Sequence, residues 1–147
     1  MISEQEKAPD FSLLNAEEKL VSLSDFTGKW LLLYFYPKDD TPGCTTEACT
    51  LRDNFPFYEE TGIGVVGISK DTPISHKRFK EKYDLPFELL SDTDGKVSEI
   101  YSSGVGETSK RISYIINPEG VVEKAYSKVT PATHAQEVLE DLKRIQS

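Results

Sequence analysis

The 147-residue sequence predicts an α/β sandwich, a mixed central sheet flanked by helices and entered through an N-terminal hairpin. Three observations carry this. Short apolar runs alternate with longer polar stretches that open at helix-starting residues, the pattern of a mainly parallel sheet covered by helices. One of those runs, Leu31-Leu32-Leu33-Tyr34-Phe35-Tyr36, is continuously apolar, as a strand buried on both faces requires. The length lies within the ~100–150 residues common for one domain, so a single domain over residues 1–147 is expected.

The elements follow in order. Phe11 to Leu14 and Leu20 to Leu23 flank the polar turn Asn15-Ala16-Glu17-Glu18-Lys19 and read as a hairpin. The strand of Leu31 to Tyr36 ends at Pro37, and helical signals run from about Thr41 to Asn54. Pro56 disfavours the helical carbonyl at Arg52, so this helix is expected to weaken or kink there. Ile63 to Ser69, rich in Val and Ile, is a second buried strand. Thr72-Pro73 opens a polar helix to about Tyr83, with Pro73 suited to the first turn. Phe87 to Leu90 is a short strand and Asp94 to Tyr101 a short helix. Ser113 to Ile116 and Val121 to Ala125 flank Asn117-Pro118-Glu119-Gly120, a tight-turn sequence, and form an antiparallel pair. From Ala132 to Ile145, one helical face carries Ala135, Val138, Leu139, Leu142 and Ile145. The order β-α-β-α-β, then hairpin, then helix, has the form of a thioredoxin-like sandwich.

Composition narrows the functions. The formal charge of −8 argues against nucleic acid or an anionic membrane as partner, since both are polyanions. Two cysteines are too few for a secreted disulfide framework. They could be one bridge, two buried thiols or a reactive pair. Met1 to Lys7 lacks the basic start and apolar run of a secretory signal, and Trp30 to Tyr36 is far shorter than the ~20 residues a membrane helix needs. A cytoplasmic protein is expected.

In α/β sheets, ligands bind beyond the carboxyl ends of strands. The first such loop is Pro37-Lys38-Asp39-Asp40-Thr41-Pro42-Gly43-Cys44-Thr45-Thr46-Glu47-Ala48-Cys49. Thr41 suits an N-cap and Pro42 the first helical position, which puts Cys44 in the first turn. Free N–H groups and the positive end of the helix dipole there favour a thiolate, and Glu47 suits the same field. Alternatively Cys44 is an ordinary buried thiol and Cys49 a small apolar residue on the helix's inner face. Five residues apart on a helix, their Cα atoms would lie ~8.7 Å from each other. A disulfide needs less than ~7 Å, so a bridge within regular helix is excluded, while one that forms on local unwinding is not.

The pattern Pro37-x-x-x-Thr41-x-x-Cys44 resembles the active-site signature of the peroxiredoxins. Gly43-Cys44-Thr45-Thr46-Glu47-Ala48-Cys49 is similar to the PrxQ, or bacterioferritin comigratory, subgroup. The likeness extends to Ala8-Pro9-Asp10-Phe11, Tyr34-Phe35-Tyr36-Pro37-Lys38, Gly67-Ile68-Ser69 and Arg111-Ile112-Ser113-Tyr114. It implies a thiol peroxidase acting on hydrogen peroxide and organic hydroperoxides. Cys44 would be peroxidatic and Cys49 resolving, joined in a transient Cys44–Cys49 disulfide. Thr41 would hold the peroxide, with Gly43 lining its site. Pro37 would shield the pocket, and Arg111 would stabilise the thiolate and polarise the O–O bond. Thioredoxin, or alternatively glutaredoxin, would be the reductant. No cofactor or metal is implied, and the subgroup is often monomeric. Tyr101 to Lys110 departs from the subgroup by being shorter and more polar.

Without the resemblance, Arg111 reads as a strand arginine in a surface ion pair. A thioredoxin-type oxidoreductase uses C-x-x-C, whereas this chain has C-x4-C. A zinc module would need more ligands at close spacing. His76 and His134 are far apart on polar helical stretches and are expected to be solvated. A redox sensor would use the same cysteine chemistry as the peroxidase.

Overall fold

The computed structural model describes residues 1–102 and 110–146. Strands β1 (Ser12–Leu14) and β2 (Leu20–Ser22) form the predicted hairpin and lead through a 3-10 turn at Leu23–Phe26 into β3 (Trp30–Phe35). Then come α1 (Pro42–Thr61), β4 (Ile63–Ser69), α2 (Pro73–Tyr83), β5 (Glu88–Ser91) and α3 (Lys96–Ser102). The chain closes with β6 (Ile112–Ile116), β7 (Val122–Tyr126) and α4 (His134–Gln146). Of the departing stretch Tyr101 to Lys110, residues 103–109 lie outside the described residues.

Among the described residues the strands join one sheet in the order β2-β1-β5-β4-β3-β6-β7. β3 pairs in parallel with β4, and β4 with β5, as β-α-β crossovers produce. β6 runs antiparallel to β3, so the sheet is mixed, as expected. β3 is central and buried along nearly its whole length. Its alternate side chains feed two cores. Leu32, Tyr34 and Tyr36 pack with Cys44, Ala48, Leu51 and Tyr58 of α1, Phe79 of α2, and Ala135, Val138 and Leu142 of α4. Leu31, Leu33 and Phe35 pack on the other face with Tyr101 of α3, Tyr114 of β6 and Phe11. Each fully buried large apolar side chain contributes roughly 1.5–3 kcal/mol, so β3 anchors both layers.

The main departure from expectation is the length of α1. Its 20 residues run through Pro56 to a left-handed Gly62. Pro56 deprives the Arg52 carbonyl of its helical donor, yet residues on either side are held by tertiary packing. Leu51 and Tyr58 are fully buried, and the Tyr58 hydroxyl donates to the Ala135 carbonyl of α4 at 2.8 Å. Packing therefore outweighs a local break worth a few kcal/mol.

Both histidines depart from expectation as well, since neither is solvated. His134 opens α4 between Ser113 Oγ (2.9 Å from Nε2) and Glu137 Oε1 (2.9 Å from Nδ1). Burial lowers its pKa, against the opposing pull of Glu137. His76 lies beneath the loop that follows β3, described below.

Candidate active site

β3 delivers the chain to the site. Tyr36 continues the strand, its N–H donating to the Ile68 carbonyl of β4 at 3.1 Å, and half-buried Pro37 ends it. The loop then turns through Asp40, which is left-handed at φ 57°, a conformation Asp tolerates better than most residues. Thr41 is the extended N-cap residue of α1 and Pro42 occupies the first turn. The capping differs in detail from expectation. The Thr41 hydroxyl donates to the Lys38 carbonyl at 2.8 Å and does not cap the helix with its side chain. Its backbone carbonyl accepts the helical N–H of Thr45 at 2.8 Å.

Cys44 sits in that first turn and is buried. Arg111, the residue before β6, reaches across from the neighbouring strand. Its Nη2 donates to Cys44 Sγ at 3.3 Å and its Nη1 donates to Glu47 Oε1 at 2.8 Å. One guanidinium thus joins Cys44 and Glu47, which lie three residues apart on the same face of α1. Burial works against the Arg111 charge, but the bonds to Cys44 and Glu47 outweigh it and raise its pKa. The ion pair is not a surface one, because Glu47 is wholly buried. Burial pushes the Glu47 carboxyl up to about 7, with Arg111 pulling the other way.

Gly43 allows this arrangement. An ideal Cβ built on it would stand 2.9 Å from Arg111 Nη2 and 3.7 Å from Pro131 Cγ. The guanidinium occupies the space where any other residue would place a side chain.

Cys49 is half-buried, and both cysteines are free thiols. Both lie within unbroken α1, so ideal helix geometry puts their Cα atoms ~8.7 Å apart, outside bridging range. The site's sulfur can therefore act as a nucleophile beside a fixed cation and a helix N-terminus, where developing negative charge is stabilised. The geometry brings Cys44, Gly43 and Arg111 together, with Thr41 at the helix start and Pro37 at the strand end. Cys49 stands further along the helix.

Two features were missed from sequence. Glu47 is the carboxylate partner of Arg111, and its i,i+3 relation to Cys44 was the available signal. The second is a buried cluster below the loop, built by Tyr36, Asp39, Ser75 and His76. These residues span some forty positions of sequence, and no local pattern links them. Asp39, Asp71 and His76 each offer a donor atom within 4.8 Å of the others. All three donor atoms are engaged in hydrogen bonds within the cluster.

Comparison with known proteins gives a consistent result. The AhpC/TSA family profile matches residues 5–125. The chain is 40% identical to Peroxiredoxin Bcp of Bacillus subtilis, over 94% of this chain and 93% of that protein. It is 41% identical to the chloroplastic Peroxiredoxin Q of Triticum aestivum, over 98% of this chain and 68% of that protein. It superposes on the crystal structure of peroxidoxin BcpB from Mycobacterium tuberculosis with a TM-score of 0.91 at 30% identity, covering 100% of both chains. For a PrxQ crystal structure from Xylella fastidiosa the TM-score is 0.88 at 30% identity, covering 99% of each. A free cysteine held by arginine at a helix start, on this sheet topology and with these relatives, leads to one conclusion: the chain belongs to the AhpC/TSA family and, within it, to the Bcp/PrxQ peroxiredoxins, a family of thiol peroxidases.

Proposed function

We propose that this chain reduces hydrogen peroxide and organic hydroperoxides through a Cys44 sulfenic acid and a Cys44–Cys49 disulfide, recycled by thioredoxin. The observation that carries the reading is the 3.3 Å contact of Arg111 Nη2 with Cys44 Sγ at the first turn of α1. The Cys44 thiolate attacks one peroxide oxygen, the O–O bond breaks, and Cys44 becomes S–OH. The other oxygen leaves with the electron pair. Arg111 and the free N–H groups of the helix start stabilise it until it takes a proton from solvent.

The start of α1 then unwinds, because intact helix keeps the sulfurs apart. The Cys49 sulfur attacks the sulfenic sulfur, an S–S bond forms, and the hydroxyl leaves as water after protonation. A dithiol reductant restores both thiols by exchange and is itself oxidised to a disulfide. Thioredoxin fills that role in the proposal, with glutaredoxin as the alternative. Pro37 shields the pocket, while Thr41 and Gly43 with Arg111 hold the peroxide. The protein works as a cytoplasmic monomer of one domain without cofactor.

Peroxide-dependent oxidation of thioredoxin by wild type, Cys44→Ser and Cys49→Ser tests the cycle. Wild type is expected to turn over, Cys44→Ser to be inactive, and Cys49→Ser to oxidise once without thioredoxin-linked cycling. Turnover by Cys44→Ser would overturn the nucleophile. Normal thioredoxin cycling by Cys49→Ser would overturn the resolving role. Cycling of wild type only with glutaredoxin would replace the reductant and leave the peroxidase standing.

A further inference from the structure

Helix α2 holds the redox segment from both sides. On the loop between Pro37 and Gly43 only Asp39 is buried. Its Oδ1 accepts the Tyr36 hydroxyl at 2.6 Å. Its Oδ2 accepts the Ser75 hydroxyl at 2.8 Å and lies 2.7 Å from His76 Nδ1. His76 Nε2 is 3.0 Å from the Leu90 carbonyl, which can only accept, so Nε2 carries a hydrogen. The short Nδ1–Oδ2 contact therefore holds one further proton, on His76 or on Asp39. The Asp39 N–H donates to Asp71 Oδ2 at 2.9 Å, which completes the anchor.

The other end of α2 makes a second pair of ties. The Tyr83 hydroxyl donates to Asp40 Oδ1 at 3.0 Å, and the Tyr83 carbonyl accepts Arg52 Nη1 at 2.7 Å. Residues 41–51, which include both cysteines, are thus bracketed by attachments to one helix. The two sets of ties differ in strength. Asp40 is exposed, and its bonds to Tyr83 and Lys82 are of the weak, screened kind. The Asp39 cluster is buried and satisfied, where such bonds are strongest.

Unwinding the start of α1 gains chain entropy. Held ends reduce that gain, because a segment fixed at both sides has fewer conformations than one with a free side. We propose that the Asp39–His76 pair is a latch that sets the balance between the wound, peroxide-reactive start of α1 and its unwound, disulfide-forming shape. Asp39, His76 and Tyr36 are positioning residues in this scheme, since none touches the reacting sulfur. The inference rests on the Cys44–Cys49 cycle proposed above.

The test uses the reduced full-length protein mixed rapidly with hydrogen peroxide. Samples are quenched by alkylation, and mass spectrometry resolves Cys44 oxidation from Cys44–Cys49 bridging. Asp39→Ala removes the latch, Asp39→Asn keeps neutral bonds at the same place, and Tyr36→Phe removes one donor while preserving the ring in the core. Asp39→Ala is expected to slow the first oxidation and speed bridging, raising the ratio of the two rates about tenfold, the effect of one lost buried hydrogen bond. Asp39→Asn is expected to restore most of the wild-type ratio. Tyr36→Phe should shift it the same way by a smaller factor, and it carries the test if Asp39→Ala does not fold.

Hydrogen exchange of the disulfide form should show lost protection within 41–51 in wild type, spreading into 36–40 in the variants. A merely structural cluster would lower the melting temperature and leave the rate ratio unmoved, and that result overturns the latch, as does a fall in the ratio. Wild type that forms no Cys44–Cys49 disulfide overturns the two-cysteine cycle and the latch with it. Wild type that bridges while all variants match it overturns the latch alone.

Discussion

Gly43 and Arg111 share one volume: a β-carbon on Gly43 would stand 2.9 Å from the Nη2 atom that Arg111 directs at Cys44. Contact at that distance forces the guanidinium away, because the helix backbone on the other side cannot yield. Gly43→Ala is therefore expected to leave α1 intact and to slow Cys44 oxidation by peroxide about tenfold, the equivalent of a weakened charge-assisted bond. Stopped-flow oxidation rates with circular dichroism as control measure this. An unchanged rate would show that Arg111 needs no such clearance.

Arg111 donates in two directions at once, to Cys44 and to Glu47. Lysine keeps the charge but lacks the rigid fork. Arg111→Lys should lower the second-order rate of Cys44 oxidation by roughly 100-fold, the scale of losing one preorganised donor to developing negative charge. Bridging of Cys44 to Cys49 after oxidation should still occur. A variant within twofold of wild type contradicts the role.

Glu47 makes stability depend on pH. Its carboxyl moves from 4.5 to about 7 on burial. A raised carboxyl binds its proton more tightly in the folded state, so its contribution is complete below 4.5 and is lost as pH rises to about 7. The span corresponds to roughly 3 kcal/mol. In urea unfolding, the stability of wild type minus that of Glu47→Gln should fall across that window and level off above it. A difference that stays flat or rises there refutes the assignment.

Pro56 is exposed in the middle of α1 and withholds a donor from the Arg52 carbonyl. Pro56→Ala should restore that bond and raise stability by about 1–3 kcal/mol, without moving the cysteines. Thermal unfolding tests this, and a destabilised variant would mean that the ring packs where the helix needs it.

The two cysteines are set too far apart for a bridge on intact helix. Crystals of the reduced and peroxide-oxidised protein should differ in backbone over residues 41–51 and agree in β3, β4 and α2. A Cys44–Cys49 bond on an unchanged helix would refute the geometric argument.

The strands and three of the helices were legible in the sequence within a residue or two, because their signals are local. The continuous apolar run of β3, the Thr72-Pro73 start of α2 and the apolar face of α4 each report on a few neighbouring positions. The loop carrying Thr41, Gly43 and Cys44 was legible for the same reason, since cap, proline and sulfur stand close together along the chain. The family resemblance, confirmed by the comparisons, supplied Arg111 from 67 residues away.

What the tertiary structure alone decided lies in contacts between distant positions. Pro56 predicted a weakened or kinked helix with signals ending near Asn54, and packing of Leu51 and Tyr58 against sheet and α4 carried it on to Thr61. His76 and His134 stand on polar stretches, yet both are buried, because the fold offers each of them polar partners inside: Asp39 and the Leu90 carbonyl for one, Ser113 and Glu137 for the other. Sequence patterning records which residues avoid water, but not which buried polar groups will find one another. That pairing is made only when the fold brings distant elements side by side, and it separates a loop with a reactive-looking cysteine from a sulfur contacted by Arg111 on a loop anchored through Asp39 to His76.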